Sequence, residues 1–258
     1  MILAIETATD VCGVALVQNQ NVIAQRVLAE KYVHSEKLLP MIDEVLRDAS
    51  FSAKQLDAIA VSIGPGSFTG LRIGLSTAKG LALSLGISVI AVPTLDALAY
   101  AFFRTKGGTS ADVVCPMIDA KRDEAFFCFY RIDAAGVTRQ SEYAIALKSK
   151  IVEMAPRSVM FVGDGAKKMG ASQEFDTSRQ FNPSIVCSAE SVGLVAETAG
   201  VKLSPEKLSR LEPLYLREFI ATQPSGDRAI SPHRASILEE QRPRRAQSPF
   251  RINPFGKG

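Results

Sequence analysis

Between Ser62 and Gly86 a small residue recurs at every fourth position: Gly66, Gly70, Gly74, Ala78, Ala82 and Gly86. An apolar run, Leu56–Ile63, and a Gly64-Pro65-Gly66 turn lead into this stretch. The pattern is that of a strand, a turn and a helix. Glycine inside a helix costs about 1 kcal/mol relative to alanine, so repeated glycine needs a structural reason. Small side chains at i, i+4 and i+8 let a second backbone come close. A turn at a helix start can also offer free N–H groups to an anion. This one lacks the Gly-Lys-Ser/Thr ending of a Walker A loop, and its small residues continue for four more turns, which favours close packing. On a helical wheel Leu71, Gly74, Leu75, Ala78, Leu81, Ala82 and Leu85 share one face, opposite Arg72, Ser76 and Lys79. That is an amphipathic helix; Lys79, the serines and the glycines argue against a membrane span.

The flanking sequence reads as strands at Ile2–Glu6, Gly13–Val17 and Val22–Leu28, with Gln18-Asn19-Gln20-Asn21 as the hairpin turn. A helix follows over about Ser35–Ala49, with Leu38, Leu39, Ile42, Val45, Leu46 and Ala49 as its apolar stripe. Pro40 then belongs in or near its first turn. Ser88–Val92 reads as a strand, and Thr94 as the cap of a helix ending near Phe103. The Thr105-to-Ser110 loop separates this half from a second, shorter series. That series has strands at Val113–Ile118, Ala125–Ile132, near Val137–Ile145 and at Val159–Val162, and helices at Lys148–Ala155 and Ala189–Ala199. Two successive βββαβα units predict an α/β protein of two similar lobes, 1–104 and 111–217. From about Ala221 the character changes: seven basic residues stand against three acids, with few aliphatics. Residues 218–258 read as a Pro-rich basic tail, disordered or loosely docked, or as an arm for RNA or an acidic partner.

Of 258 residues 47% are apolar and 22% charged, and the net charge of +3 comes from the tail. The rest of the chain sums to about −1, so it offers no broad basic field to nucleic acid. The absence of Trp argues against a base-stacking surface. Cys12, Cys115, Cys128 and Cys187 have neither metal-knuckle nor redox CxxC spacing. They read as buried reduced thiols of a cytoplasmic protein. The N-terminus lacks the features of a signal peptide. His34 and His233 are too few for a multi-histidine metal site.

In a two-lobed fold of this kind a nucleotide would sit in the cleft, held by hairpin turns. The candidates are Glu6, Thr7, Thr9 and Asp10 in the first lobe, and Asp119, Lys121, Arg122 and Glu124 in the second. A carboxylate there could hold Mg²⁺, and a hydroxyl or N–H a phosphate. The plain alternative is two polar hairpin turns. Gly163 and Gly165 could admit a purine or ribose, or simply form a turn. His34 beside Ser35, and Ser67 after the Gly-Pro-Gly turn, lack the orienting group and oxyanion donors of a nucleophilic site.

Three segments carry a family resemblance: Ile2 to Thr9, His34 to Ile42, and Gly64-Pro65-Gly66-Ser67-Phe68-Thr69-Gly70 with its flank to Gly74. With Asp119 to Glu124 and Glu212 to Arg217, they resemble the bacterial TsaB family, also called YeaZ. The resemblance implies a fold of the actin, sugar-kinase and heat-shock ATPase type. It implies a part in making N6-threonylcarbamoyladenosine at position 37 of tRNAs that read codons beginning with A. In that role the chain would be a non-catalytic partner of a TsaD-type transferase paralogue, working with a TsaE-type small ATPase and reaching tRNA through the complex. A homodimer is a further expectation. The partner interface expected from the small-residue face comprises His34, Leu38, Met41, Ile42, Val45, Gly70, Gly74, Ala78 and Ala82. The alternative is an active ATPase or kinase that binds ATP or ADP with Mg²⁺ in the cleft. Position 6 is Glu where many relatives have Asp, position 121 is Lys where Arg is more usual, and the paralogue's metal-binding histidine pair has no counterpart.

Overall fold

The structure is a computed structural model that describes residues 1–30, 34–106, 112–167, 180–216 and 251–252. Most of the expected tail and of the expected loop between lobes lies outside them. In the first lobe β1 (Ile2–Glu6), β2 (Cys12–Gln18) and β3 (Asn21–Leu28) form an antiparallel meander. Asn19 and Gln20 between β2 and β3 both have positive φ, 52° and 60°, the backbone twist of a two-residue hairpin. After α1 (His34–Asp48), β4 (Ala58–Ser62) runs parallel to β1. After α2 (Phe68–Leu85), β5 (Ser88–Val92) runs parallel to β4. The order is therefore β3-β2-β1-β4-β5. Leu3, Ile5, Val14 and Leu16 of the sheet bury against Leu38, Met41, Val45, Leu75 and Ala78 of α1 and α2. Pro40 lies inside α1 rather than in its first turn. It is on the exposed side, where water can satisfy the carbonyl that proline leaves without a partner.

The second lobe repeats the order with broken strands. β6 (Asp112–Lys121) pairs with β7 (Glu124–Phe127) along one half and β8 (Tyr130–Asp133) along the other. β9 (Gly136–Arg139) pairs with β8, and β10 (Ala144–Leu147) with β7. The two long strands expected here are thus each split. Ser141 holds the first break: its Oγ accepts from Phe129 N at 3.0 Å, and its carbonyl accepts from Cys128 Sγ at 3.2 Å. α4 (Lys148–Met154) precedes β11 (Met160–Val162), which is parallel to β6. α5 (Asp164–Lys167) precedes β12 (Gln180–Asn182), parallel to β11. Three antiparallel strands and then two parallel ones recreate the first lobe's plan.

The two units exchange helices. α3 (Thr94–Lys106), from the end of the first, packs on β6, β9 and β11, while α6 (Ala189–Thr198) packs on β1 and β2. β13 (Val201–Leu203) extends the first sheet at β5, and β14 (Arg251–Ile252) pairs with β9. One core accordingly runs through both sheets, including Ala4, Val17, Leu95, Tyr100, Ile118, Tyr130 and Val195. At its centre Asp96 of α3 is fully buried and accepts hydrogen bonds from the hydroxyls of Tyr130 and Tyr143. Burial raises its pKa to about 6, and the two tyrosine hydrogen bonds oppose the rise.

Candidate functional site: the interlobe cleft and the face of helices one and two

A cleft of about 640 Å³ opens between the lobes. Ala8–Asp10 of the β1–β2 turn, Pro65–Gly70, Asp119–Lys121 and Asp164 line it, together with His34 and Leu214–Leu216. The Gly-Pro-Gly turn, whose Gly64–Pro65 peptide is cis, is enclosed from both sides. A Cβ on Gly66 would lie 2.2 Å from the Ala8 carbonyl oxygen, and one on Gly70 1.9 Å from that of Thr7. A Cβ on Gly74 would lie 2.2 Å from Thr7 Oγ1. Ser67 N donates to Ala8 O at 2.7 Å, and Thr7 Oγ1 donates to Gly70 O at 2.8 Å. The close second backbone is therefore the protein's own β1–β2 turn. Ser67 Oγ caps α2 by accepting from Gly70 N. On the other side Leu214 N donates to Ile63 O at 2.7 Å, and Leu214 O stands where a Cβ on Gly64 would go.

This geometry corrects the expected partner surface. Leu38, Met41, Ile42, Val45, Gly70, Gly74, Ala78 and Ala82 are buried inside the chain, against the first sheet or the β1–β2 turn. His34 is half-buried at the cleft. The small residues serve helix-on-sheet packing and leave no small-residue stripe for another protein. What α1 and α2 turn outward is different: Glu36, Leu39 and Asp43 on α1, and Arg72, Ser76, Gly80 and Leu83 on α2, with Lys79 half-buried beside them.

The expected nucleotide contacts separate in a similar way. Glu6 and Thr7 are fully buried and do not line the cleft. Glu6 Oε1 accepts from Ala8 N (2.9 Å), Thr9 N (3.1 Å) and Thr9 Oγ1 (3.2 Å), and Oε2 from Cys187 Sγ (3.4 Å). Burial pushes its pKa up. A buried carboxyl already committed to its own turn does not suit Mg²⁺. Asp10, Asp119 and Lys121 do reach the cleft. Asp119 is bound to Lys148 Nζ at 2.8 Å and to Lys121 Nζ at 3.4 Å, and its N–H donates to Asp164 Oδ1 at 3.2 Å. Glu124 sits across the hairpin from Lys121. Lys121, Arg122 and Asp123 all have positive φ, a conformation that non-glycine residues adopt at a cost. Gly163 and Gly165 admit β6 rather than a ligand: a Cβ at 163 would lie 2.3 Å from Met117 O, and one at 165 2.9 Å from Met117 C. Among the described residues no group of three or more His, Cys, Asp or Glu is arranged to hold a metal ion.

Sequence reasoning missed Lys148, which is buried and anchors Asp119, and Asp164, whose pKa burial raises. It also missed the outward cluster on α2. There the Arg72 guanidinium carbon lies 3.8 Å from the Phe68 ring centroid, and its Nε donates to Tyr215 OH at 3.3 Å. The Tyr215 ring meets Phe68 at 5.3 Å between centroids. Arg72, Ser76 and Lys79 then line a shallow groove with Ser209, Glu212 and Tyr215. The four cysteines are buried and unpaired, as expected. No described helix is long and apolar enough to cross a membrane.

The fold and cleft together define a two-lobed α/β protein of the actin, sugar-kinase and heat-shock ATPase type, built from a duplicated RNase H-like unit. The family model described as "TsaD: tRNA N6-adenosine threonylcarbamoyltransferase" matches residues 21–208. The tRNA threonylcarbamoyladenosine biosynthesis protein TsaB of Bacillus subtilis is 31% identical over 193 residues, 70% of this chain and 82% of that protein. The Escherichia coli TsaB is 38% identical over 151 residues, 58% of this chain and 64% of its own length. The matched stretch thus spans just under two thirds of the E. coli relative. A solved structure, YeaZ from Pseudomonas aeruginosa, superposes with a TM-score of 0.69 at 28% identity, covering 83% of this chain and 99% of that one. The chain belongs to the TsaB (YeaZ) family.

Proposed function

We propose that the chain is a non-catalytic subunit in tRNA threonylcarbamoyladenosine synthesis, supporting a transferase paralogue by docking through the outward face of α1 and α2. One observation carries the non-catalytic part. The groups a nucleotide and its metal would need are already used inside the protein: Glu6 by its own turn, Asp119 by Lys148, and Gly163 and Gly165 by Met117. Family membership supplies the pathway. A small ATPase and tRNA would join through the assembled complex. Reconstituting threonylcarbamoyl transfer to adenosine in tRNA, with and without this chain, tests the reading. Strong dependence on the chain is expected, and transfer at full rate in its absence overturns it.

The second reading is a nucleotide-dependent ATPase or kinase. It is favoured by the open cleft itself, with Lys121 and the capped start of α2 on its wall. Calorimetry with ATP and Mg²⁺ separates the two. Binding tighter than about 10 μM with turnover supports the enzyme, and absence of heat supports the subunit.

A further inference from the structure

The second sheet ends on a strand contributed from the far end of the chain. Its order is β10-β7-β6-β8-β9-β14, so β9 would be its edge but for β14. An uncovered edge presents a row of unpaired N–H and C=O groups and invites pairing with another chain. β9 is closely tied to the centre of the molecule. Its Val137 is fully buried in the core that runs through both lobes, and α3 packs against the strand. It pairs with β8, whose Tyr130 hydroxyl donates to Asp96.

Arg251 and Ile252 of β14 lie opposite Thr138 and Val137 in antiparallel register. They belong to a distinctive stretch of sequence. From Ala221 onward the only aromatic residues are Phe250 and Phe255, and each follows a proline: Pro249-Phe250-Arg251-Ile252-Asn253-Pro254-Phe255. Proline has no N–H to give to a ladder and is confined to strand ends and open edges. The two prolines therefore limit a paired strand here to positions 250–253. β9 is four residues long, Gly136–Arg139. The register of Arg251 and Ile252, continued in both directions, matches those four positions to β9 one for one. The sequence suits this edge and stops where the edge stops. Reach is no obstacle. Residues 217–250 span roughly 100 Å when extended, against about 50 Å for the diameter of a compact protein of this size.

We propose that the β9 edge is a binding site for an extended, proline-flanked peptide, and that its occupant is this chain's own segment 250–253, held in cis as a detachable strand. Backbone hydrogen bonds supply the attachment, the mode in which an extended peptide joins a sheet edge. So short a strand holds because it is tethered, which keeps it at an effective concentration on the order of millimolar. The attachment also fastens the stretch that carries Arg242, Arg244 and Arg245 at both ends, at Leu216 beside the cleft and at β9. The basic tail is then a closed loop rather than a free arm. This is independent of the docking role proposed for α1 and α2.

Amide hydrogen exchange of the full chain, read by mass spectrometry on peptides covering β9, tests it. Ile252→Asp replaces a strong strand former opposite Val137 with a charge. Exchange in β9 should be at least about tenfold faster in Ile252→Asp than in wild type, with β2 and β5 unchanged and the thermal melt still cooperative. A synthetic peptide of residues 248–258, added to the Ile252→Asp chain, should restore slow exchange in β9. The wild type should take up the same peptide at least about tenfold more weakly, because its edge is filled. A second version keeps the segment intact and carries a protease site inserted after Gly226. Cutting it and diluting should release β9 in the same way, and this version decides the matter if Ile252→Asp does not fold. Equal β9 exchange in wild type and a folded Ile252→Asp overturns the proposal, as does β9 exchange unchanged by cutting and dilution. Peptide protection that falls on β3 instead, the edge of the first sheet where Ile23 and Val27 are 48% and 50% exposed, also overturns it. Protection of β9 that fades when uncut wild type is diluted means that the strand comes from a second copy, and overturns the arrangement in cis.

Discussion

The two lobes share one strand order and treat it differently. In the first, β1, β2 and β3 are continuous strands of 5, 7 and 8 residues, covered by α1 and α2 on one face and α6 on the other. In the second, β6 is one strand of 10 residues but the second and third positions are each split into pieces of four, and the helices α4 and α5 are short. The difference indicates a division of labour. The first lobe is a stiff platform whose helices present a surface. The second closes the cleft with a strained hairpin and a buried ion pair. Substitutions chosen on each side should behave differently, and the largest effects should come from the platform.

Gly70 is the most demanding position. A Cβ there would lie 1.9 Å from Thr7 O, a backbone atom of the buried β1–β2 turn. Neither partner can give way as a flexible side chain would. Gly70→Val should destabilise by about 3 kcal/mol or more, the upper end of the cost of over-packing. Urea unfolding followed by circular dichroism measures it. A variant as stable as wild type would show that the platform yields, and would erase the contrast with the second lobe.

Lys148 makes the matching test in the second lobe. It is 3% exposed and bound to Asp119. Lys148→Met leaves that carboxylate without its nearest cation and should cost about 3 kcal/mol, in the range found when one partner of a buried pair is removed. Adding Asp119→Asn should recover part of the loss. A double-mutant cycle with no coupling would mean that the pair is incidental to the hairpin.

Asp96 joins the lobes, and its effect depends on pH. Its folded pKa of about 6 lies above the ordinary aspartate value of 3.8 because the carboxyl is buried. The folded protein therefore binds the proton more readily than the unfolded chain. The resulting stability is complete below the unfolded pKa and is lost as pH rises through about 6. Thermal melts between these limits should show wild type losing stability with rising pH relative to Asp96→Asn, in which this site cannot titrate. Parallel curves for the two proteins would remove Asp96 from the interlobe latch.

Much of this architecture was legible in the sequence because apolar periodicity reports burial. The β1–β2–β3 meander, the two amphipathic helices and the parallel strands beside them each repeat with the period of their element. The break between β7 and β8 was not legible, because Ser141 holds it by hydrogen bonds across a sequence gap that apolar pattern does not register. The site was read with its faces reversed. Small residues signal a close neighbour but not which one, and here the neighbour is Thr7 and Ala8 of the same chain. Lys148 and Asp96 gave no signal at all. A buried lysine or aspartate has the same letter as a surface one, and only the partners Asp119, Tyr130 and Tyr143 distinguish it.

The smallest effect is the most discriminating for the platform. Gly80 lies on the same helix as Gly70, but its side-chain position opens to solvent, with nothing within 4 Å of an added Cβ. Its neighbours have helical backbone, so alanine fits without strain. Gly80→Ala should then stabilise the monomer by up to about 1 kcal/mol, through helix propensity and a less flexible unfolded chain. The sign is opposite to that at Gly70, ten residues earlier on the same helix. Gly80→Ala raising the melt would separate the confined inner side of α2, at Gly70, from its open outer side. A destabilised Gly80→Ala monomer would mean that the outer side of α2 is as confined as the inner one.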